Sequence, residues 1–234
     1  MGCKFGGDKK EEEKNELNND DIDEENNKDQ KEPPHNLDYY LKKFDDDEKE
    51  KINKMVAEAQ EYSQKMLELF NEIRQRPNDY ANYIEDSMDY IVETQNKNTT
   101  ETNKVFKKHL KIKLNSGEPA FRNASKILKN IEPLPELKLK PELCVPLPSS
   151  AYDINDKNYL KNQIINIRRN RRVDAYFKEN INIPELSALM LMVDDIGDNS
   201  GKRREIILRR DIQYVGISSG NIGGVFVAYF AFSR

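Results

Sequence analysis

An α/β fold, with helices layered above and below a small sheet, follows from three features of the chain. The first is 225–232, which is apolar on both alternating faces: Val225, Val227, Tyr229 and Ala231 point one way, Phe226, Ala228, Phe230 and Phe232 the other. A strand with no polar face must be covered on both sides. The second is the pairing of that strand with Ile212–Ser218 through Ser219-Gly220-Asn221-Ile222-Gly223-Gly224, whose glycines supply the positive φ of a hairpin turn. The third is the alternation of helical and strand-like periodicities upstream, which supplies the covering layers.

Composition limits what those layers can be. With 36% hydrophobic and 34% charged residues, the 234-residue chain holds one ordinary domain once a tail is set aside. A net charge of −4 gives no argument for a nucleic-acid partner. Cys3 and Cys144 stand far apart, which argues against a disulfide framework and for a reducing compartment. There is no apolar run of membrane-spanning length and no apolar core of a secretory signal, so the expected location is cytoplasmic.

Met1-Gly2-Cys3-Lys4-Phe5-Gly6 opens the chain with what dual acylation requires: a glycine for myristate and a neighbouring thiol for palmitate. Gly6 departs from the preferred Ser or Thr. From Asp8 to about Asn36 the residues are almost all Asp, Glu, Lys, Asn and Gln, too polar to offset chain entropy by burial. Residues 1–44 are therefore expected to be a disordered acidic tether that stands the domain, 45–234, off a surface.

Order begins after Asp45-Asp46-Asp47-Glu48, acids suited to a helix N-terminus. Ile52, Met55, Val56, Ala59, Tyr62, Met66, Leu69, Phe70 and Ile73 recur at three- and four-residue spacing, predicting one long amphipathic helix that stops at Arg76-Pro77. Pro77 starts a second, with Tyr80, Tyr83, Ile84, Met88 and Ile91 on one face. Residues 94–117 are polar and are expected to be an insertion or mobile loop. A helix follows over Glu118–Leu128, and five prolines between 133 and 148 then forbid regular structure over much of 132–149. Tyr159, Leu160, Ile164 and Ile167 predict another helix, Val173–Asn182 a strand, and Pro184 a helix with Leu186, Leu189, Met190 and Val193 inward.

The order of these segments resembles the CAP superfamily, the SCP domains of cysteine-rich secretory, antigen 5 and pathogenesis-related proteins. Leu67-Glu68-Leu69-Phe70-Asn71-Glu72-Ile73-Arg74-Gln75-Arg76-Pro77 is similar to the family's first helix, with its Asn-x-x-Arg. Leu134-Pro135-Glu136-Leu137-Lys138-Leu139 is similar to the stretch before its second helix, and Lys178-Glu179-Asn180-Ile181 to its Gly-Glu-Asn-Ile strand. Asp194-Asp195-Ile196-Gly197, Ser200 to Ile207 and Tyr214-Val215-Gly216-Ile217 follow in family order. The resemblance covers roughly 58–234 and implies a CAP-like three-layer α-β-α sandwich.

It also implies what is missing. Family members with a metal cleft place two histidines there, one in a Gly-His-Arg turn. That turn here is Gly201-Lys202-Arg203, and the chain's only histidines are His35 and His109. Lysine offers no lone pair to a metal at neutral pH, so neither zinc nor another cofactor is expected. Glu179 is a remnant cleft acid, expected to answer the nearby arginines instead. Asp194, Asp195, Asp198 and Glu205 fail as a calcium loop because Ile196 stands where an oxygen ligand is needed. A capped turn between helix and strand fits them better. Cys144, among prolines and leucines with no histidine nearby, is expected to be an inert thiol.

Charge on surfaces remains. Arg168, Arg169, Arg171 and Arg172, with Lys202, Arg203, Arg204, Arg209 and Arg210, concentrate cations in the C-terminal half. They are either a solvated face or an anion-binding surface for lipid head groups or acidic protein tails. The expected function is a non-enzymatic CAP-like binding module on the cytosolic face of a membrane, contacting lipids or a protein partner. It parallels the family's intracellular, acylated, Golgi-associated pathogenesis-related type. The alternative is a structural scaffold component of a cytoskeletal or ciliary assembly. Stable anchoring takes two lipid signals, so Gly2→Ala and Cys3→Ser are each expected to release the protein from membranes. Unchanged membrane fractionation of both variants would remove the anchor.

Overall fold

The structure, a computed structural model, describes residues 46–95, 102–156, 158–169, 171–196 and 201–234. The tether, with Gly2 and Cys3, lies outside the described residues. Helices α1 (Asp46–Gln75) and α2 (Pro77–Asp86) meet at Pro77, whose missing amide and fixed φ suit a first helical position. The face expected of the second helix is shorter than the sequence suggests. The helix gives way to a 3₁₀ turn at Ser87–Tyr90, and Ile91 opens strand β1 (Ile91–Gln95).

The insertion expected to be a loop is sheet. Strands β2 (Thr102–Lys107) and β3 (Lys111–Leu114) complete an antiparallel meander, β1-β2-β3. Phe106 and Leu114 are its buried anchors, and Phe106 stacks on Phe121 at 5.9 Å between ring centroids. With so few inward residues among lysines, the strands carry almost no alternating hydrophobic signal. Phe121 belongs to α3 (Glu118–Leu128), whose bounds agree with the sequence expectation.

The main sheet has the order β4-β6-β7-β5. Its centre is the hairpin of β6 (Tyr214–Ile222) and β7 (Val225–Ser233), flanked by β4 (Lys138–Leu139), parallel to β6, and β5 (Ala175–Glu179), antiparallel to β7. The turn is tighter than expected. Strand β6 runs on to Ile222, leaving Gly223 and Gly224 as a two-residue turn with φ of 58° and 82°.

Both faces of β7 are covered. Ala228, Phe230 and Phe232 enter a core with Phe70 of α1 and with α6 (Pro184–Val193), every residue of which from Leu186 onward is buried. Val227, Tyr229 and Ala231 enter a second core with Leu143, Val145, Ile154, Ile164 and Val173. Those residues come from the proline-rich stretch, from the short α4 (Ala151–Asn155), from α5 (Tyr159–Arg168) and, for Val173, from the approach to β5. Gly216 on β6 admits the proline-rich stretch: a Cβ there would fall 2.3 Å from the Leu143 carbonyl carbon.

The Asn-x-x-Arg stretch of α1 ties the layers together. Asn71 exchanges hydrogen bonds with the Leu137 backbone, its Nδ2 donating to the carbonyl at 3.1 Å and its Oδ1 accepting from the amide at 2.7 Å. Arg74 is fully buried and donates to the carbonyls of Pro135 (2.7 Å), Ile207 (2.7 Å), Arg209 (3.0 Å) and Ile212 (3.1 Å). Burial pulls its pKa down to about 10, and the ring of carbonyls keeps it charged at neutral pH. Removing the guanidinium strands those carbonyls without donors, at roughly 1–3 kcal/mol for a buried group left unsatisfied. Arg74→Met should therefore lower unfolding free energy by about 3 kcal/mol or more in urea titrations. A loss within about 0.5 kcal/mol, the range of ordinary surface substitutions, would show that these bonds do not hold the fold.

Candidate functional site

Three places in the fold concentrate chemistry: the position of the resemblance's cleft, the cationic end of the main sheet, and a groove at its opposite end.

The cleft position is filled. Glu179, at the end of β5, is 7% exposed; its Oε1 accepts from the Asn180 amide at 2.8 Å and its Oε2 lies 3.4 Å from Nη1 of Arg203. The expected pairing with a nearby arginine is thus present. Arg203 also lies 3.6 Å from the Asp194 carboxylate, and its amide donates to Asp194 Oδ2 at 3.2 Å. Asp194 ends α6 with a left-handed φ of 53°, a conformation open to Asp through local hydrogen bonding. Asp195, fully buried, accepts from the Ser116 amide at 2.9 and 3.0 Å and from the Gly117 amide at 2.7 Å. It thereby caps α3 from a distance. These acids are structural caps, as the capped-turn expectation has it; Asp198 lies outside the described residues.

Two members of the expected anion-binding set need correction. Arg203 faces Glu179 and Asp194, and Arg204, 7% exposed, donates to the carbonyls of Met192 (2.7 Å) and Val193 (3.1 Å). Arg204 thus closes the negative end of α6 from within α7 (Lys202–Ile207). The sequence shows both as members of a charge run; burial of their neighbours turns them inward. Lys202, at the start of the same helix, is exposed.

Arg172 and Arg209 of the set converge. Asp174 accepts from Arg172 Nε at 3.0 Å and from Arg234 Nη2 at 2.9 Å; Arg234 Nε lies 3.5 Å from Asp211, which also holds Arg209 at 2.8 Å. Arg209 lowers the Asp211 pKa through its hydrogen bond. Arg168 donates to the Val173 carbonyl at 3.1 Å, and Arg210 pairs with Glu132 at 3.1 Å. Strand register puts Lys138 beside Tyr214, and Tyr214 beside Ser233. Lys138 is exposed on this end of the sheet, and Arg169 and Arg171, exposed as well, shortly precede Arg172 in the chain. The two clusters, roughly thirty residues apart in sequence, thus meet through Asp174, Arg234 and Asp211.

The opposite end carries a groove of about 550 Å³ that sequence reasoning assigned to core. The buried residues of α1 begin only at Tyr62, and the turns ahead of Ala59, whose carbonyl accepts from Ser219 Oγ at 3.3 Å, overhang the sheet. Ile52, Met55, Val56 and Ala59 form one wall; Leu147, Ile222 and Phe226 face them. Met55 is 50% exposed. At the base, the Tyr62 ring lies 4.9 Å from Phe226, with its hydroxyl 3.1 Å from both the Ile181 carbonyl and Ser187 Oγ. The signal was present in a length mismatch: a 30-residue helix spans about 45 Å, whereas nine-residue strands span about 30 Å.

Other groups offer little chemistry. The Cys144 thiol is half-buried, lies 3.4 Å from the Ile217 carbonyl, and has its pKa raised by burial, which fits the expected inert thiol. His109 is exposed. Among the described residues, no group of three or more His, Cys, Asp or Glu could hold a metal, and no helix is long and apolar enough to cross a membrane. No protein-family model matches the chain, and no curated protein or solved structure matches it either.

Burial raises the pKa of Glu179 against the opposing pull of the Asn180 amide and Arg203. The folded state therefore holds this proton more tightly than the unfolded chain does. The resulting stabilisation is present below the unfolded carboxylate pKa and is lost as pH rises through the raised folded value. Glu179→Gln, which fixes the neutral form, should gain stability relative to the parent between pH 4 and pH 7 in urea titrations. An identical offset at both pH values would assign Glu179 no proton of its own.

Proposed function

We propose that the chain is a non-enzymatic, CAP-like binding module held at the cytosolic face of a membrane by acylation of Gly2 and Cys3, with the cationic end of its main sheet toward anionic lipid. The observation that carries this reading is the convergence of Arg172 with Arg209 at one end of the sheet, flanked in sequence by Arg168, Arg169, Arg171 and Arg210. They are joined there by Arg234 and Lys138. Acids in the network orient the arginines, but the cations outnumber them. Anionic lipid contributes about 1 kcal/mol for each Lys or Arg near its surface, so such an end orients a tethered domain.

The CAP-like assignment and its three-layer α-β-α sandwich are supported by the order of the motifs and by what the motif residues do. Asn71 and Arg74 lock the first helix to the stretch before the second and to the approach to β6. Helices lie against both faces of β7. Arg203, next to the lysine that replaces the family's histidine, closes on Glu179, which supports a binding role over metal-dependent catalysis.

The test uses the full chain without fatty acids and vesicles of phosphatidylcholine with phosphatidylserine at low salt. Lys138→Ser, Arg169→Ser and Arg171→Ser together should weaken binding by on the order of 3 kcal/mol, somewhat over a hundredfold. Lys202→Ser should change it little, and raised salt should abolish it. If the unmutated protein ignores these vesicles, the lipid reading fails and a scaffold component of a cytoskeletal or ciliary assembly becomes the better account.

A further inference from the structure

The groove beside the overhanging part of α1 is bordered by acids. A second hollow, about 610 Å³, adjoins it through the shared residues Glu58, Tyr62 and Asn182. Glu58, Glu61, Glu68 and Glu185 line that hollow. Lys65, the one cation among its lining residues, is itself 3.9 Å from Glu68 and 4.0 Å from Glu185. An apolar trough thus runs beside a ledge of negative charge.

We propose that this groove and ledge dock a basic amphipathic helix of a partner protein. Four observations select that occupant. The apolar wall is a helical stripe, Ile52, Met55, Val56 and Ala59, which presents side chains at the spacing an apolar helix face interdigitates with. Met55, half exposed, brings the unbranched thioether that adapts to varied apolar surfaces. The ledge complements lysines or arginines on the polar side of such a helix and repels the anionic head group of a lipid. Finally, the groove adjoins the turn end of the β6–β7 hairpin, while the cationic end lies where β6 begins. Eight residue steps put about 25 Å between them. A domain resting on a bilayer through its cationic end would therefore present the groove away from it. The docking site does not itself depend on the membrane reading.

The test is carried out on the full chain in solution, with no lipid present. The probe is a fluorescent synthetic peptide of about eighteen residues, long enough to be helical, with leucine on one face and lysine on the other. Its twin carries glutamate in place of lysine. Fluorescence anisotropy should show the lysine peptide binding and the glutamate twin failing to bind. Ile52→Ser with Met55→Ser, and separately Glu58→Lys with Glu61→Lys, should each weaken binding by about tenfold or more. These sites lie before the first buried residue of α1, and circular dichroism of each variant should match the parent. Asp89→Lys with Glu93→Lys, an equal change of charge at exposed positions outside the groove, should leave affinity within about twofold. Equal binding of the two peptides, or equal weakening by the Asp89 and Glu93 pair, would overturn the site. So would displacement of the lysine peptide by a long-chain fatty acid, or self-association that disappears with Met55→Ser. Vesicle binding is read separately, so failure here leaves the lipid reading standing, and the reverse also holds.

Discussion

One buried cation sets the terms for the rest of the domain. Arg74 has no carboxylate partner among the described residues; its charge is dispersed over carbonyls of the 134–137 stretch, the end of α7 and the approach to β6. Transfer of an unpaired guanidinium into a dry core is prohibitive unless every donor is met, so α1, the 134–137 stretch, the end of α7 and the approach to β6 must arrive together. The hydrophobic contacts of Phe70 with Phe230 and Phe232 supply driving force at that junction, but they are not directional. The guanidinium fork is directional, and it fixes where the long helix crosses the sheet.

That division of labour explains what the sequence disclosed. The two faces of β7 were legible because each is apolar and a strand has a strict period of two. Helices α1, α3 and α6 were legible because proline or acid marks their starts and apolar residues recur at helical spacing. The meander was not, since Phe106, Ile112 and Leu114 are too few among lysines to announce strands, and their burial depends on Phe121 from a later helix. The short α4 was hidden by the same proline-rich context that places it.

The charged residues divide along similar lines. A run such as Lys202-Arg203-Arg204 looks uniform in one dimension, yet its members face solvent, a pair of carboxylates and a helix terminus in turn. Nothing in composition separates these fates; the left-handed turn at Asp194 and the buried end of α6 do. Arg172, Arg209 and Arg234 converge because Asp174 and Asp211, ordinary surface acids in the sequence, precede β5 and β6, the two strands that flank β7. The groove was hidden for the opposite reason. Its stripe obeys the same periodicity as true core and differs only in being left partly open among the described residues.

The carbonyls that surround Arg74 come in part from residues 207, 209 and 212, far downstream of α1. During translation α1 leaves the ribosome well over a hundred residues before those acceptors exist. Until they emerge, its guanidinium keeps water as its partner, and Phe70 has no sheet to cover it. The first helix therefore cannot settle in its final contacts until residue 212 has emerged. A nascent chain stalled before residue 212 carries an exposed amphipathic helix of thirty residues, the kind of surface that chaperones hold.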